Sequence, residues 1–324
     1  MIKFKHFDAS TIEEAVALLS KFEGRAKVIA GGTDIIGLYK DNVLPKPYEA
    51  LINIKNVPGL ESMKEEGGVL KLGALVRLED IGHNPTIKER YTALALSARY
   101  AASPHIREMG TIGGNVCQNS RCWYYRCSGN RFPCARKGGD ECFAGEGDNR
   151  YHSIFGDVKD CLAVNPSDTL PALIALGAKA ITSKRTLDVV NMFPEKDATR
   201  MTILDDDEII TKFQIPEPVE RMKSSWKKFA IRKSIDFPIV NCACAVVTNE
   251  DNTIEEANIC LNAVYYKPYV PTRAANYLKG KVLDEETAET TGEAAVWGAK
   301  PLAMNEYKIH IAKGLVKQTL LACR

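Results

Sequence analysis

Six of the chain's ten cysteines fall between residues 117 and 161: Cys117, Cys122, Cys127, Cys134, Cys142 and Cys161. Thiols gathered in one segment can bind metal, do redox work or close disulfides, and the setting decides among these. The opening MIKFKHFDAS has no apolar export segment, and no apolar run approaches the roughly 20 residues that span a bilayer. A cytoplasmic, reducing home with no membrane association is the expectation, and there clustered cysteines favour metal or redox chemistry over disulfides. The spacings of 5, 5, 7, 8 and 19 positions contain no C-x-x-C pair, which weakens a zinc ribbon or finger. Iron–sulfur clusters use Cys thiolates, commonly four, and accept irregular spacing. Gly129, Gly138, Gly139, Gly145 and Gly147 would let the backbone wrap closely around such a cluster. Scattered buried thiols are the bland alternative, but a polar, Arg-rich segment is a poor place to bury hydrophobes. Spacing does not select four ligands out of six, and zinc stays open. Cys242, Cys244, Cys260 and Cys323 sit in apolar patterns and read as small core residues.

Two glycine-bearing loops offer a different chemistry. Gly31-Gly32-Thr33-Asp34 follows the short apolar run KVIA and leads into a helix expected to start at Asp34. Backbone N–H groups exposed without Cβ obstruction at a helix start favour a phosphate. Gly110-Thr111-Ile112-Gly113-Gly114-Asn115 reads as a Gly-rich turn and a second such nest. Facing each other, the two could hold both phosphates of a dinucleotide. Neither matches G-x-G-x-x-G or a P-loop, so the Rossmann and mononucleotide folds are not supported. Ordinary tight turns remain the competing reading. His6, His83, His105, His152 and His310 are scattered, and no Ser or Cys nucleophile is paired with any of them by pattern. Asp205-Asp206-Asp207-Glu208 reads as a solvated acidic loop.

These residues need a scaffold, and 324 residues are enough for more than one core. A hydrophobic fraction of 45% and a charged fraction of 26% describe a globular chain, and a net charge of +2 leaves no footprint for nucleic acid. IKFKHF reads as a strand, and Ser10-Thr-Ile-Glu13 as a capping box before an amphipathic helix over 11–22. Strands are expected at 27–30, 50–54 and 68–75. A largely helical stretch over 77–102 is broken near His83-Asn84-Pro85. Beyond the cysteines come a helix at 168–176 and strands at 178–182, 186–190 and 208–215. A Pro- and charge-rich linker is expected at 215–225. Three alternating strands and three helical stretches (272–280, 284–299 and the C-terminus) complete an α+β chain with a boundary near 218.

Taken together, the motifs resemble the FAD-binding (medium) subunit of the molybdenum hydroxylases, the xanthine dehydrogenase and carbon monoxide dehydrogenase type. The resemblance rests on IAGGTDII (29–36), GTIGGN (110–115), PSDTLPALIAL (166–176), LDDDEIITKFQIP (204–216) and KKFAIRKSIDFPIVN (227–241), five stretches in the family's order over essentially the whole chain. It implies a two-lobed FAD-binding domain of the vanillyl-alcohol-oxidase type at 1–217, with lobes of about 1–56 and 57–217. A smaller α+β C-terminal domain at 218–324 would follow. It implies FAD contacts from Ile29, Ala30, Gly31, Gly32, Thr33, Asp34 and Ile35, from Leu72 and Gly73, and from Thr111, Gly113, Gly114 and Asn115. Asp168 would approach the ribityl region, Ile209 and Ile210 would flank the flavin ring, and Lys228 would stand near it. Lys228 could favour an anionic reduced flavin or be a surface lysine.

A minority of the family carry a cysteine-bearing insertion, here about 117–161, that holds a 4Fe–4S cluster. The aldehyde oxidoreductase and 4-hydroxybenzoyl-CoA reductase types are such members. Ser120-Arg121-Cys122 resembles the start of their ligand set, and Cys161 before N-P-S-D resembles its end in the aldehyde oxidoreductase type. The implied ligands are Cys122, Cys134, Cys142 and Cys161, with Cys117 a non-ligand and Cys127 a spare. The 4-hydroxybenzoyl-CoA reductase type takes its fourth ligand at a position with no cysteine here. The implied role is electron transfer between a partner's 2Fe–2S clusters and an external acceptor or donor such as ferredoxin or NAD(P). Substrate chemistry would sit on a molybdopterin-binding large subunit, with the 2Fe–2S clusters on a small one. The competing readings are a structural or zinc staple, in an FAD subunit of a xanthine/purine dehydrogenase-type enzyme or in what is mainly an assembly scaffold, and a stand-alone FAD oxidase, for which no acid/base set is visible.

Overall fold

The computed structural model of the chain describes residues 2–324. It begins with β1 (Lys5–Asp8), α1 (Ile12–Lys21), β2 (Ala26–Ile29), α2 (Ile35–Lys40) and β3 (Ala50–Asn53). Helical spacing of Ile12, Ala15, Val16 and Leu19 turns one face of α1 inward, and Ala15 and Leu19 are buried. The cap lies one residue later than expected. Thr11, not Ser10, accepts the Glu14 N–H at 3.1 Å, and the Glu14 carboxylate accepts the Ser10 N–H at 2.8 Å. β1, β3 and β2 pair in parallel in that order, with Ile52 opposite both Phe7 and Val28. All four β3 residues are buried, as a central strand covered on both faces requires.

Next come β4 (Met63–Glu66), β5 (Val69–Gly73), α3 (Leu78–His83), α4 (Pro85–Arg90), α5 (Thr92–Arg99), α6 (Pro104–Arg107) and α7 (Ile112–Cys117). The break near His83-Asn84-Pro85 separates α3 from α4. Asn84 Oδ1 accepts the Ile87 N–H at 3.1 Å, and Pro85 fills the first turn, where its missing N–H costs nothing. Gly110–Asn115, expected as a turn, instead runs into α7, with Thr111 as its cap. Residues 118–166 then contain no α-helix or ladder strand, only short 3₁₀ turns at Ser128–Asn130 and Ala135–Lys137.

Regular structure resumes with α8 (Leu170–Ala175), β6 (Lys179–Thr182), β7 (Thr186–Asp188) and β8 (Ile210–Pro216). A five-stranded antiparallel sheet forms in the order β4-β5-β8-β6-β7. Phe213 on its central strand faces Leu72 and Ala180, and all three are fully buried. Most of the linker expected at 215–225 is strand, since β8 runs to Pro216 and β9 (Met222–Phe229) starts six residues later. β10 (Val240–Thr248) and β11 (Ile254–Asn262) complete an antiparallel sheet ordered β11-β10-β9. α9 (Thr272–Leu278), α10 (Glu285–Ala295) and α11 (Tyr307–Leu321) close the chain. Ala312, Val316 and Leu320 of α11 share a core with Cys242, Cys244 and Val246 of β10. The architecture is therefore α+β, as expected, ending in a C-terminal sheet-and-helix unit whose Trp226, Ala243 and Ala245 pack into the core of the preceding elements. No helix among the described residues is long and apolar enough to cross a membrane.

Candidate cofactor cleft and thiol cavity

A cleft of about 620 Å³ opens beside the C-terminal end of β2. That volume suits a cofactor-sized ligand. Ile29, Ala30, Gly31, Gly32, Thr33, Asp34 and Ile35 line it, as do Thr111, Gly113, Gly114, Asn115, Asp168, Ile209 and Ile210. The two glycine loops touch through their backbones. A Cβ on Gly31 would lie 1.9 Å from the Met109 carbonyl oxygen, so only glycine allows this approach. Among the described residues, no protein acceptor takes the N–H of Gly31, Gly32, Thr33 or Asp34. Such free donors beside a cleft are what an anionic phosphate needs. The second loop differs from the expectation of a matching nest. All but one of its N–H groups are used within the chain: Gly113 donates to Ala74 O at 3.0 Å, Gly114 to Thr111 Oγ1 at 3.1 Å, and Asn115 to Thr111 O at 2.8 Å, while the Thr111 N–H has no acceptor among the described residues.

Three expected contacts lie behind the wall. Leu72 points into the core opposite Phe213 because strand alternation turns it away from the cleft. Gly73 is packed under the chain, where a Cβ would meet Leu60 O at 2.1 Å. Ala74 and Leu75, just beyond them, reach the cleft instead. Lys228 does not line the cleft either. Its Nζ is buried and donates to Asp168 Oδ2 at 3.1 Å, Tyr100 O at 2.6 Å and Asp236 O at 3.3 Å. Asn241 Nδ2 donates to Asp168 Oδ1 at 3.0 Å. Burial holds the Asp168 carboxyl above the ordinary range, against the opposing pull of Lys228 and Asn241. Asn115 Oδ1 accepts from Ser167 Oγ at 2.6 Å and Thr169 Oγ1 at 2.7 Å, which ties the second loop to the Asp168 segment.

The cysteine segment grips the first loop. Asp34 Oδ1 pairs with Arg121 Nη2 at 2.9 Å and Arg126 Nη2 at 2.5 Å, and Asp34 Oδ2 accepts the Asn119 N–H at 2.9 Å. Burial pushes the Asp34 carboxyl up, but these three partners outweigh it and hold it below the usual carboxylate range.

Cys122, Cys134, Cys142 and Cys161 all line one small cavity, together with Tyr124, Tyr125, Arg136 and Phe143. Cys117 lines the large cleft instead, and Cys127 lines neither. Among the described residues, no three His, Cys, Asp or Glu side chains are gathered closely enough to hold a metal ion, so the four thiols share a cavity without forming a coordination sphere. Burial pushes the Cys122 thiol up to about 12 and the Cys161 thiol up to about 11. The surroundings carry positive charge. Arg136 is 3% exposed, and its guanidinium partners are Ala198 O, Tyr266 Oη and Asn119 Oδ1, none of them charged. Arg136 Nε and Lys137 Nζ are buried with no hydrogen-bond partner. Unneutralised buried cations beside soft sulfur donors fit an anionic, thiolate-bound centre.

Several residues of this site had no sequence signal of their own. His152, one of the scattered histidines, sets Nε2 3.2 Å from Cys122 Sγ, and burial with nearby Lys308 lowers it to about 4. Its only hint was a position between Cys142 and Cys161. Lys308 on α11 is fully buried and donates to His152 O at 2.9 Å and Ala263 O at 2.6 Å. Asn305 Nδ2 donates to the carbonyls of Asn149, His152 and Ser153 at 3.3, 3.2 and 3.0 Å. The C-terminal unit thus holds the far end of the cysteine segment. Lys308 sits on the same helical stripe as Ala312, Leu315 and Thr319, so its burial was readable from spacing.

Comparison with known proteins matches residues 2–218 to the family described as the FAD binding domain in molybdopterin dehydrogenase, and residues 224–323 to the CO dehydrogenase flavoprotein C-terminal domain. The aldehyde oxidoreductase FAD-binding subunit of Escherichia coli is 27% identical over 333 residues, covering 100% of this chain and 99% of that one. The carbon monoxide dehydrogenase medium chain of Hydrogenophaga pseudoflava is 25% identical over 324 residues, covering 99% of this chain and 96% of that one. In the solved carbon monoxide dehydrogenase of Hydrogenophaga pseudoflava, one chain superposes with a TM-score of 0.77 at 22% identity, over 100% of this chain and 98% of that one. That likeness concerns the fold.

Proposed function

The chain belongs to the family of FAD-binding subunits of the molybdopterin dehydrogenases and is an oxidoreductase subunit, and from that premise we propose that it carries electrons between FAD in the large cleft and a 4Fe–4S cluster at the thiol cavity. FAD, when bound, converts between one-electron and two-electron carriers. A cluster, when bound, stores single electrons. The rest is the work of this chain's residues. The free N–H groups of Gly31–Asp34 hold the diphosphate, and Thr111, Gly113, Gly114 and Asn115 form the wall opposite. Asp168, fixed by Lys228 and Asn241, accepts hydrogen bonds from the ribityl region. Lys228 acts through Asp168 rather than on the flavin. Ile209 and Ile210 keep water from the ring. Cys122, Cys134, Cys142 and Cys161 ligate the cluster, Arg136 and Lys137 offset its negative charge, and His152 contacts the Cys122 sulfur.

In this reading, residues 1–217 form the FAD-binding domain, with lobes of about 1–56 and 57–217, and residues 218–324 form the C-terminal domain. The relatives' names as FAD-binding subunit and medium chain support assembly with a molybdopterin-binding large subunit and a 2Fe–2S small subunit. Ferredoxin or NAD(P) then serves as the external partner, and the complex works in the cytoplasm.

One observation carries the proposal. The four thiols share a cavity on the segment whose Arg121 and Arg126 hold Asp34 in the cleft wall. Iron, acid-labile sulfide and flavin are to be measured on anaerobically purified protein, with an electron paramagnetic resonance spectrum after reduction. About four iron and four sulfide per FAD, with a reduced-cluster signal, is the expected result. Zinc, or FAD with no metal, would reduce the cysteine segment to a structural staple.

A further inference from the structure

The second glycine loop leaves the cleft short of donors, because the N–H groups of Gly110, Ile112, Gly113, Gly114 and Asn115 are already used and, among the described residues, Thr111 alone keeps one without an acceptor. Arg121 stands beside the first loop, paired with Asp34. It lines the cleft, although it belongs to the cysteine segment next to Cys122. One face of its guanidinium lies over the Phe237 ring, 4.4 Å from the centroid, and Phe237 lines the cleft too. Nη2 pairs with Asp34 Oδ1 at 2.9 Å and donates to Gln118 Oε1 at 3.2 Å. Nε is buried without a partner, whereas Nη1 also has no protein partner and is not buried, so it is the donor left for a ligand. Asp34 already pairs with Arg126, so two guanidiniums share one carboxylate and the cluster keeps a surplus positive charge. A stacked, ion-paired guanidinium with an idle N–H donor is preorganised for an anionic oxygen.

We propose that Arg121 is a cofactor-binding residue that supplies the diphosphate of FAD with the charged contact the second loop does not provide. The same side chain joins the cleft to the thiol loop, so holding the cofactor also orders the chain at Cys122. This rests on the reading of the large cleft as an FAD site, but not on any metal at the thiols.

The test is FAD release from the purified flavoprotein, followed by the rise in flavin fluorescence on dilution at several salt concentrations. Arg121→Gln is expected to weaken FAD at least about tenfold, the worth of one charge-assisted hydrogen bond. It should also flatten the salt dependence, which a merely structural role would leave in place. Arg121→Lys keeps the charge without the fork, so an intermediate affinity with the salt dependence retained is expected. If Arg121→Gln does not fold, the lysine variant decides alone. ADP should lose affinity for Arg121→Gln by about the same factor as FAD, because the contact is to the diphosphate that both carry. Wild-type binding that Arg121→Gln leaves unchanged, with the same salt dependence, overturns the inference alone. A wild-type chain that holds no FAD overturns the cleft reading and this inference with it.

Discussion

Lys308 joins the C-terminal helix to the thiol loop, and its burial makes a pH-dependent prediction. Its ammonium is fully buried, meets two backbone carbonyls and no carboxylate, and burial lowers it from 10.5 to about 7. Between those values the folded protein holds Lys308 neutral, whereas the unfolded chain binds a proton there. The unfolded state thus binds more protons, so stability rises with pH across this window. From pH 6.5 to 8.5 the gain works out at about 2 kcal/mol. His152 adds about 0.4 kcal/mol to this climb, since burial lowers it to about 4 and its unfolded value of 6.5 lies at the lower edge of the window. The buried thiols act above it, because Cys122 and Cys161 are pushed up from 9.0 and lose stability only as the unfolded chain ionises. Urea unfolding at pH 6.5, 7.5 and 8.5 should therefore show wild-type stability climbing. Lys308→Met leaves the carbonyls of His152 and Ala263 without a donor, at a cost of about 1–3 kcal/mol for each carbonyl, and its deficit against wild type should widen as pH rises. Its pH profile should nevertheless lack the climb of about 2 kcal/mol that Lys308 supplies, leaving only the smaller slopes of His152 and the buried thiols. Parallel profiles for the two proteins would refute the reasoning, because Lys308 would then be as protonated folded as unfolded.

Other variants test the cleft and the cavity. Gly31→Ala drives a Cβ into the Met109 carbonyl and should yield protein with little flavin, whereas Gly37→Ala, in α2 with nothing within 4 Å, should be neutral or add up to about 1 kcal/mol of helix stability; flavin content and urea midpoints check both. Lys228→Met leaves Asp168 as an uncompensated buried charge and should cost about 3–5 kcal/mol, much of it recovered in the double variant with Asp168→Asn, as denaturation of the single and double variants would read out. Serine at Cys122, Cys134, Cys142 or Cys161 should remove iron, while serine at Cys117 or Cys127 should leave it, judged by metal analysis of each purified variant.

Much of the fold was legible because hydrophobic period and turn chemistry agree locally. α1, the three parallel strands and the Asn84-Pro85 break announce themselves in this way. The errors have physical causes. Thr11 and Ser10 both carry a hydroxyl, and only tertiary packing selects which one caps α1. Glycine pairs read as turns, yet the Thr111 hydroxyl gave Gly110–Asn115 enough support to start a helix. Of residues 215–225, only 217–221 connect the two strands, between the family matches that end at 218 and begin at 224; the rest are polar because β8 and β9 have exposed faces at that end. In the cleft, glycine loops stand out in any sequence, whereas one strand alternation and a close backbone approach, which spacing does not show, set Leu72 and Gly73 behind the lining. The cysteine segment has no period to read. Which thiols face one another depends on contacts from outside it, such as Asp34, Tyr266, Asn305 and Lys308, all far away in sequence.

The central claim is that one chain holds two communicating redox groups. An anaerobic reductive titration of the purified protein, followed by flavin absorbance and electron paramagnetic resonance together, tests it most directly. The account predicts about three electron equivalents per FAD, two taken by the flavin and one by the cluster. Uptake of about two equivalents, with no paramagnetic cluster signal at any stage, would contradict it.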